Sequence, residues 1–428
     1  MSAVVFIVFA VCLLLCLPIV SSLEIAAIWP ALMGVRIAPK VTALIRSTFG
    51  GADTIAILAV PLFILAGMLM ARGGISKKLF DVFAYFLGKR TAGMPCAAIA
   101  TCLFYGAISG SGPATSAAVG AMTIPVLTEL GYDKDFSACM IATAGSLGVV
   151  IPPSIPFVLF GLATGASVGS LFIAGIIPGI LIGLCLMMYA WVYCKRNGED
   201  KEKVRANYEK IKAKGFWKLF ADSFWALVSP VIILGGIYSG LTTPTEAACI
   251  SVFYSLFVSL FIYKTIKFSE IWSIIIDSVK GYAPLCFILA VATAFSRVLT
   301  LLRAPQDISA FMAVHISSPT LFLLAIVVLF FLLGMVMDTG PAIVIMAPIF
   351  MPTLQMLHIS IIHFGVILVV CLAIGLVTPP FGLNLFVTAP MVGTPVMTLG
   401  RKTIPFIGVF LIAVLLITYI PALSLMFL

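Results

Sequence analysis

Long apolar runs, separated by short polar or Gly/Pro-rich breaks, set the pattern of this chain. The runs reach roughly 17–25 residues and lack the alternation of a barrel strand, so each predicts a helix. In the first half helices are expected at 3–17, 19–35 and 53–71, followed by an amphipathic piece at 76–87. A broken apolar pair covers 93–131, and further helices cover 136–163 and 169–194. The second half predicts helices at 219–240, 245–263 and 281–302, a broken pair at 320–357, and helices at 361–388 and 403–427. The opening run has no basic residue before it and reads as a membrane helix, not a cleaved signal.

Composition names the solvent. Hydrophobic residues make up 62% of the chain and charged residues 10%, against roughly 25% charged in a soluble domain. Such a chain is an all-α polytopic membrane protein, because in lipid the backbone must satisfy itself. The net charge of +9 does not imply nucleic acid, since the basic residues sit between the apolar runs. The ten cysteines are scattered singly and the histidines are only His315, His358 and His363. Neither set predicts a metal cluster or disulfides.

The halves repeat. Gly112-Pro113-Ala114 recurs as Gly340-Pro341-Ala342, an offset of 228 residues. Pro125 matches Pro352, Pro152-Pro153 matches Pro379-Pro380, and Pro178 matches Pro405, each at an offset of 227. Residues 1–194 and 219–428 are therefore two copies of one unit, joined by a charged linker at 195–218. Each broken pair reads as a re-entrant hairpin, which leaves five crossings per half and inverts the second copy. With about 10–11 crossing helices and the linker in the cytoplasm, 20 of the 25 Lys and Arg residues fall inside, as the positive-inside rule requires. Arg36, Lys40, Arg46 and Arg303 fall outside, and Arg297 lies within a helix.

The breaks are where chemistry is expected. Ser109-Gly110-Ser111-Gly112-Pro113-Ala114-Thr115 gathers permissive glycines, hydroxyls and a proline. Unwound backbone at membrane depth is tolerated where it lines a cavity. Its carbonyls and hydroxyls suit Na⁺, and its N–H groups suit a carboxylate. The second break holds Asp338, Thr339 and Gly340; the acid either binds a cation or caps a helix. Pro152-Pro153-Ser154 and Thr378-Pro379-Pro380 interrupt two further helices, as site walls or as plain kinks. There the carbonyls of Gly148 and Gly375 are expected to lose their partners, with Ser154, Thr378 and Asn384 as side-chain ligands. Thr243-Pro244-Thr245-Glu246 reads as a capping box. Arg297 either snorkels or contacts substrate.

These motifs carry a resemblance. "GAISGSGPATSAAVGAMTIPVL", "GVVIPPSIPFVLFG", "GIYSGLTTPTEAA", "HFGV" and "IGLVTPPFGLNLFV" together resemble the large membrane subunit of tripartite ATP-independent periplasmic (TRAP) transporters. The resemblance covers the whole chain. It implies an elevator-type fold, in which a domain carrying both hairpins slides against a scaffold. It implies a bacterial inner-membrane permease with no enzymatic activity that imports a small organic anion, such as a dicarboxylate or sialic acid. Na⁺ would be the coupling ion, bound at the hairpin tips, with no other cofactor. Two partners are implied: a small membrane subunit of about four helices and a periplasmic substrate-binding protein. By the same resemblance Ser109, Gly110, Ser111, Gly112 and Thr115 belong to the first tip, and Asp338, Thr339 and Gly340 to the second. Pro152–Ser154 and Thr378–Pro380 lie opposite. A self-sufficient Na⁺-coupled anion symporter is the alternative. A hydrolase would need a base beside the serines, and an ATP-driven pump would need a P-loop that the chain lacks.

Overall fold

A computed structural model describes residues 2–35, 39–315 and 318–428. Arg36 and the His315 side chain lie outside the described residues. The first half contains α1 (Ser2–Leu14), α2 (Ile19–Leu32) and α3 (Val41–Ala52). A short 3₁₀ turn at Ile55–Leu58 leads into α4 (Ala59–Arg72), then α5 (Ile75–Leu87). The first hairpin is α6 (Gly93–Ser109) and α7 (Gly112–Glu129). The broken helix after it is α8 (Lys134–Gly145) and α9 (Ile155–Thr164), and α10 (Val168–Asn197) closes the half. The linker is not bare coil: α11 (Lys201–Ala213) occupies its centre. The second half runs α12 (Phe216–Tyr238), α13 (Pro244–Phe257), α14 (Phe268–Leu301) and α15 (Ala304–His315). Its hairpin is α16 (Pro319–Gly334) and α17 (Thr339–Met356). Its broken helix is α18 (Ile361–Gly375) and α19 (Leu383–Val392), followed by α20 (Val396–Tyr419) and the short α21 (Ala422–Leu425).

Seven of the described helices or helix pairs are long and apolar enough to cross a membrane, α17 among them, and seven shorter apolar helices accompany them. Local chemistry sets many boundaries. Asp133 caps α8 by accepting from Phe136 N at 2.7 Å. The expected box at Thr243 and Glu246 caps α13, with Thr243 N donating to Glu246 at 2.7 Å. Gly110 ends α6 at φ 62°, where a side chain would be strained.

Besides α11, the pattern did not predict α3 or α15, and it started α14 late. The polar amphipathic α3 precedes the predicted crossing at 53–71, and α14 begins 13 residues before the expected 281. The repeat relates these elements to one another. Adding 228 to α3, the break and α4 (41–72) gives 269–300, which is α14 as one unbroken helix. The same offset carries α5 onto α15, and α9 onto α19 end to end. An offset of 227 carries α7 onto α17 end to end.

Packing follows the same pairing. α6 lies beside α8, and α16 beside α18. The second arm of each hairpin crosses to the other copy: α7 packs on α19, and α17 packs on α9. The close approaches also recur. A methyl built on Gly106 would stand 2.7 Å from Gly148 Cα. One on Gly375 would fall inside the backbone of Gly334. Gly106 and Gly334 are themselves 228 residues apart, so the two copies share a glycine-on-glycine helix contact.

One face gathers the polar ties. Glu199, at the start of the linker, accepts from Ala92 N at 2.8 Å and from the Tyr132 hydroxyl at 2.7 Å. It thus holds both feet of the first hairpin. Burial first, then this bond, pushes the Tyr132 pKa up. Lys214 pairs with Asp81 at 2.7 Å, Arg72 with Asp277 at 2.5 Å, and Lys402 with Asp135 at 2.6 Å. Every basic residue in these pairs belongs to the set expected inside.

Candidate functional site

The hairpin tips meet. Gly110 and Ser111 from the first, and Asp338, Thr339 and Gly340 from the second, line one small cavity of about 80 Å³. Val149, Ile155 and Pro156 of the α8–α9 break complete its wall, with Leu159, Leu285 and Leu376. Residues more than 200 positions apart are brought together because α7 and α17 each cross to the opposite copy.

Behind the first tip lies an oxygen cluster. The Ser109 and Thr115 hydroxyls are 2.8 Å apart, and Thr115 Oγ1 donates to Ser111 O at 2.8 Å. Gly148 presses on this cluster: a methyl there would stand 2.7 Å from Ser111 O. Gly110 sits against the double proline, where a methyl would stand 3.0 Å from Pro153 O. Ile155 N donates to Gly110 O at 3.4 Å. Ser154 is spent on structure, with its hydroxyl donating to Val149 O and accepting from Phe157 N as the cap of α9. The Pro152–Pro153 and Pro379–Pro380 bonds are both cis.

Asn384 approaches the same tip from the other copy. Its amide nitrogen donates to Ala142 O at 2.9 Å, and a methyl on Gly112 would lie 3.5 Å from its Oδ1. That Oδ1, with the hydroxyls of Ser116 and Thr388 one turn along the same seam, is buried without a protein partner. Buried oxygens without a donor suit a cation or an ordered water. Neutral hydroxyls and carbonyls, with no carboxylate among them, suit a singly charged hard cation better than a divalent one.

Asp338 does two things. Its Oδ1 accepts from Thr339 N at 2.7 Å and from Thr339 Oγ1 at 3.3 Å, which caps α17. The residue also lines the tip cavity. Capping and cavity-lining are thus compatible, because the cap uses a single carboxylate oxygen.

Neither double proline lines the tip cavity itself: Pro152, Pro153, Ser154, Thr378, Pro379 and Pro380 all lie outside its wall, and of the second break only Leu376 reaches it. Pro379 packs instead on Gly400 of α20. Thr378 Oγ1 bonds back to Ile374 O at 2.8 Å. The Gly375 carbonyl was expected to lose its partner, but it accepts from Thr378 N at 3.1 Å as the helix tightens. Gly375 serves helix packing against Gly334.

The sequence profile described as "Tripartite ATP-independent periplasmic transporter, DctM component" matches residues 6–423. The chain is 39% identical over 386 residues to the C4-dicarboxylate TRAP transporter large permease protein DctM of Pseudomonas aeruginosa, covering 90% of this chain and 89% of that one. This chain belongs to the TRAP transporter large permease family. It is also 41% identical over 379 residues to the isethionate TRAP transporter permease protein DctMQ of Oleidesulfovibrio alaskensis, covering 89% of this chain but 59% of that longer protein. Against the 2,3-diketo-L-gulonate TRAP transporter large permease protein YiaN of Escherichia coli, identity is 34%, over 88% of this chain and 87% of that one. The fold of this TRAP permease resembles two solved membrane transporters. Alcanivorax borkumensis YdaH superposes with a TM-score of 0.60 at 17% identity, over 88% of this chain and 86% of that chain. Neisseria gonorrhoeae MtrF gives 0.62 at 14% identity, over 87% and 82%. The TRAP permease is thus a multi-pass helical membrane protein.

Two features of this permease were missed from sequence. Gly106 and Gly334 carried a signal, their shared offset, that a full comparison of the halves exposes. Ser116 and Thr388 carried none, because a hydroxyl in an apolar helix usually bonds back to its own turn.

Proposed function

We propose that this chain is the permease subunit of a Na⁺-coupled importer of a small organic anion in the bacterial inner membrane. The observation that carries the reading is the single cavity shared by two hairpin tips from two copies of one unit. Half-helix starts there offer N–H groups and dipole to an anion, while neighbouring carbonyls and hydroxyls offer oxygens to Na⁺. Coupling then has a physical basis: a bound cation neutralises and orders the tip that the anion must meet. The relatives named above are TRAP permeases for C4-dicarboxylate, isethionate and 2,3-diketo-L-gulonate. These names support an organic acid as substrate, delivered by a periplasmic binding protein, with a small membrane subunit as partner.

Transport follows an elevator scheme in this reading. α6–α9 and α16–α19 interlock as one body that carries the tips. α4, α10, α12–α14 and α20 surround it as scaffold, with the second copy inverted. The polar face around Glu199 lies in the cytoplasm, where the linker and most of the basic residues sit.

The test is uptake by the reconstituted complex, with and without candidate binding proteins, under an imposed sodium gradient and across a panel of organic acids. Uptake that needs both the gradient and a binding protein is expected. Equal uptake with no binding protein would favour a self-sufficient symporter. Equal uptake with no sodium would remove the coupling.

A further inference from the structure

Arg297 was left between snorkelling and substrate contact. Among the described residues it makes no ion pair with an acid. Its guanidinium donates to Ser47 Oγ of α3 at 3.1 Å. Arg297 and Arg46 line the same open cavity, of about 630 Å³, together with Ser47, Thr54 and Thr293. Among the described residues no carboxylate lines it. The frame is rigid, because Gly51 lies against Thr293 with no room for a methyl, and Thr293 Oγ1 donates to Ser47 O at 3.2 Å.

The position of this cavity is informative. Leu162, Leu289 and Val344 line it; Leu159, Leu285 and Gly340 line the tip cavity. These are residues three or four apart on α9, α14 and α17, one helical turn on each of three helices. The arginine cavity is therefore stacked one turn from the tips, along the same three walls. Its volume suits a small organic molecule. Two guanidiniums repel each other in one cavity until an anion joins them, and their forked donors match a carboxylate or sulfonate.

We propose that the Arg46–Arg297 cavity is a receiving site for the anionic group of the transported organic acid, which it holds one helical turn before the hairpin tips. The proposal deepens the transport reading and rests on it for the identity of the anion. Arg46 belongs to the amphipathic α3, which packs on the scaffold helix α14, and Arg297 to α14 itself, so both charges sit outside the tip-bearing body and stay in place when it moves.

The experiment uses Thr54→Cys in the full complex, reconstituted in phosphatidylcholine. An anionic methanethiosulfonate is compared with its cationic analogue, and modification is measured at that position against the parent chain. The anionic reagent is expected to react about tenfold faster. Succinate or isethionate should slow it, and the preference should vanish in Arg46→Gln/Arg297→Gln. Uptake by either single variant should show a raised KM with little change in maximal rate. Arg297→Lys should recover part of the loss. Equal rates for the two reagents would overturn the proposal. So would protection by added phosphatidylglycerol and not by succinate or isethionate, which would make the occupant a lipid headgroup. If the parent complex transports normally and both variants keep its KM, this site fails alone. If the charge-selective labelling holds while no organic acid is ever taken up, the transport reading fails and the anion site stands.

Discussion

Gly375→Ala is the sharpest test of how the two copies are held. The new methyl would fall on the C, Cα and O atoms of Gly334, all backbone, so no rotamer change relieves it. Ordinary carbon–carbon contact is about 3.5–4.0 Å. α18 and α16 must therefore part by more than about 1 Å, a distance well-packed interiors do not absorb freely. Overpacking of this kind typically costs about 1–3 kcal/mol, and a clash with rigid backbone belongs at the upper end. Gly334 lies four residues before Asp338, so the displacement reaches the second tip. Loss of stability should come with weaker sodium dependence. Gly106→Ala, with its methyl 2.7 Å from Gly148 Cα, should cost less. Gly408→Ala is the control: it faces open space in α20, and alanine gains about 0.8–1 kcal/mol of helix propensity over glycine. Thermal melting of the purified protein in one detergent should rank Gly408→Ala at or above wild type, then Gly106→Ala, then Gly375→Ala. A Gly375→Ala protein that melts with wild type and keeps its sodium response would refute the backbone-contact argument.

Asp338→Ala should abolish Na⁺-dependent uptake while the protein still inserts and purifies; uptake at the parental rate would reduce Asp338 to a helix cap. Thr115→Val keeps the shape but loses two hydrogen bonds at the first tip, worth about 0.5–1.5 kcal/mol each. It should raise the sodium concentration for half-maximal uptake by roughly five- to 150-fold, and an unmoved midpoint would make the cluster mere packing. Cysteines placed on the exposed face of α11 should react with an impermeant reagent only from the cytoplasmic side, and labelling from the opposite side would invert the topology.

Much of this architecture was written in the spacing of Gly and Pro. Those residues break helices wherever they stand, so Gly112/Gly340 and Pro152/Pro379 announced the hairpins and the broken helices with no tertiary information. The first tip was legible for the same reason: Ser109, Ser111 and Thr115 sit at a break, and a hydroxyl at a break has unpaired backbone beside it. Asp338 was legible because an acid between apolar runs needs an explanation. What could not be read was which broken segments face the tips. Pro152-Pro153 and Pro379-Pro380 are equivalent in sequence, yet Pro153 lies against Gly110 of the first tip while Pro379 packs on Gly400 of α20, a contact between residues distant from one another in the chain. α3 was missed because Arg46, Ser47 and Thr48 dilute its apolar face below what a membrane crossing shows.

The repeat is most informative where it fails. Residues 41–72 form two helices with a bend between them, and their counterpart in the second copy is the single helix α14. The bend puts Thr54, Ala56 and Ile57 into the wall of the arginine cavity, while α14 runs past it and supplies Leu285 to the tip cavity and Leu289 and Arg297 to the arginine cavity. Two identical inverted copies would give each side of the membrane the same approach to the tips. A bent helix in one copy and a straight one in the other make the approaches differ in shape and in charge. Arg46 and Arg297 stand on the side where the bend opens. The glycine contacts that hold each hairpin are kept in both copies, and the scaffold around them is where the copies diverge. Under the transport reading proposed above, the symmetric part of the sequence builds the tips and the asymmetric part sets from which side an anion would first be received.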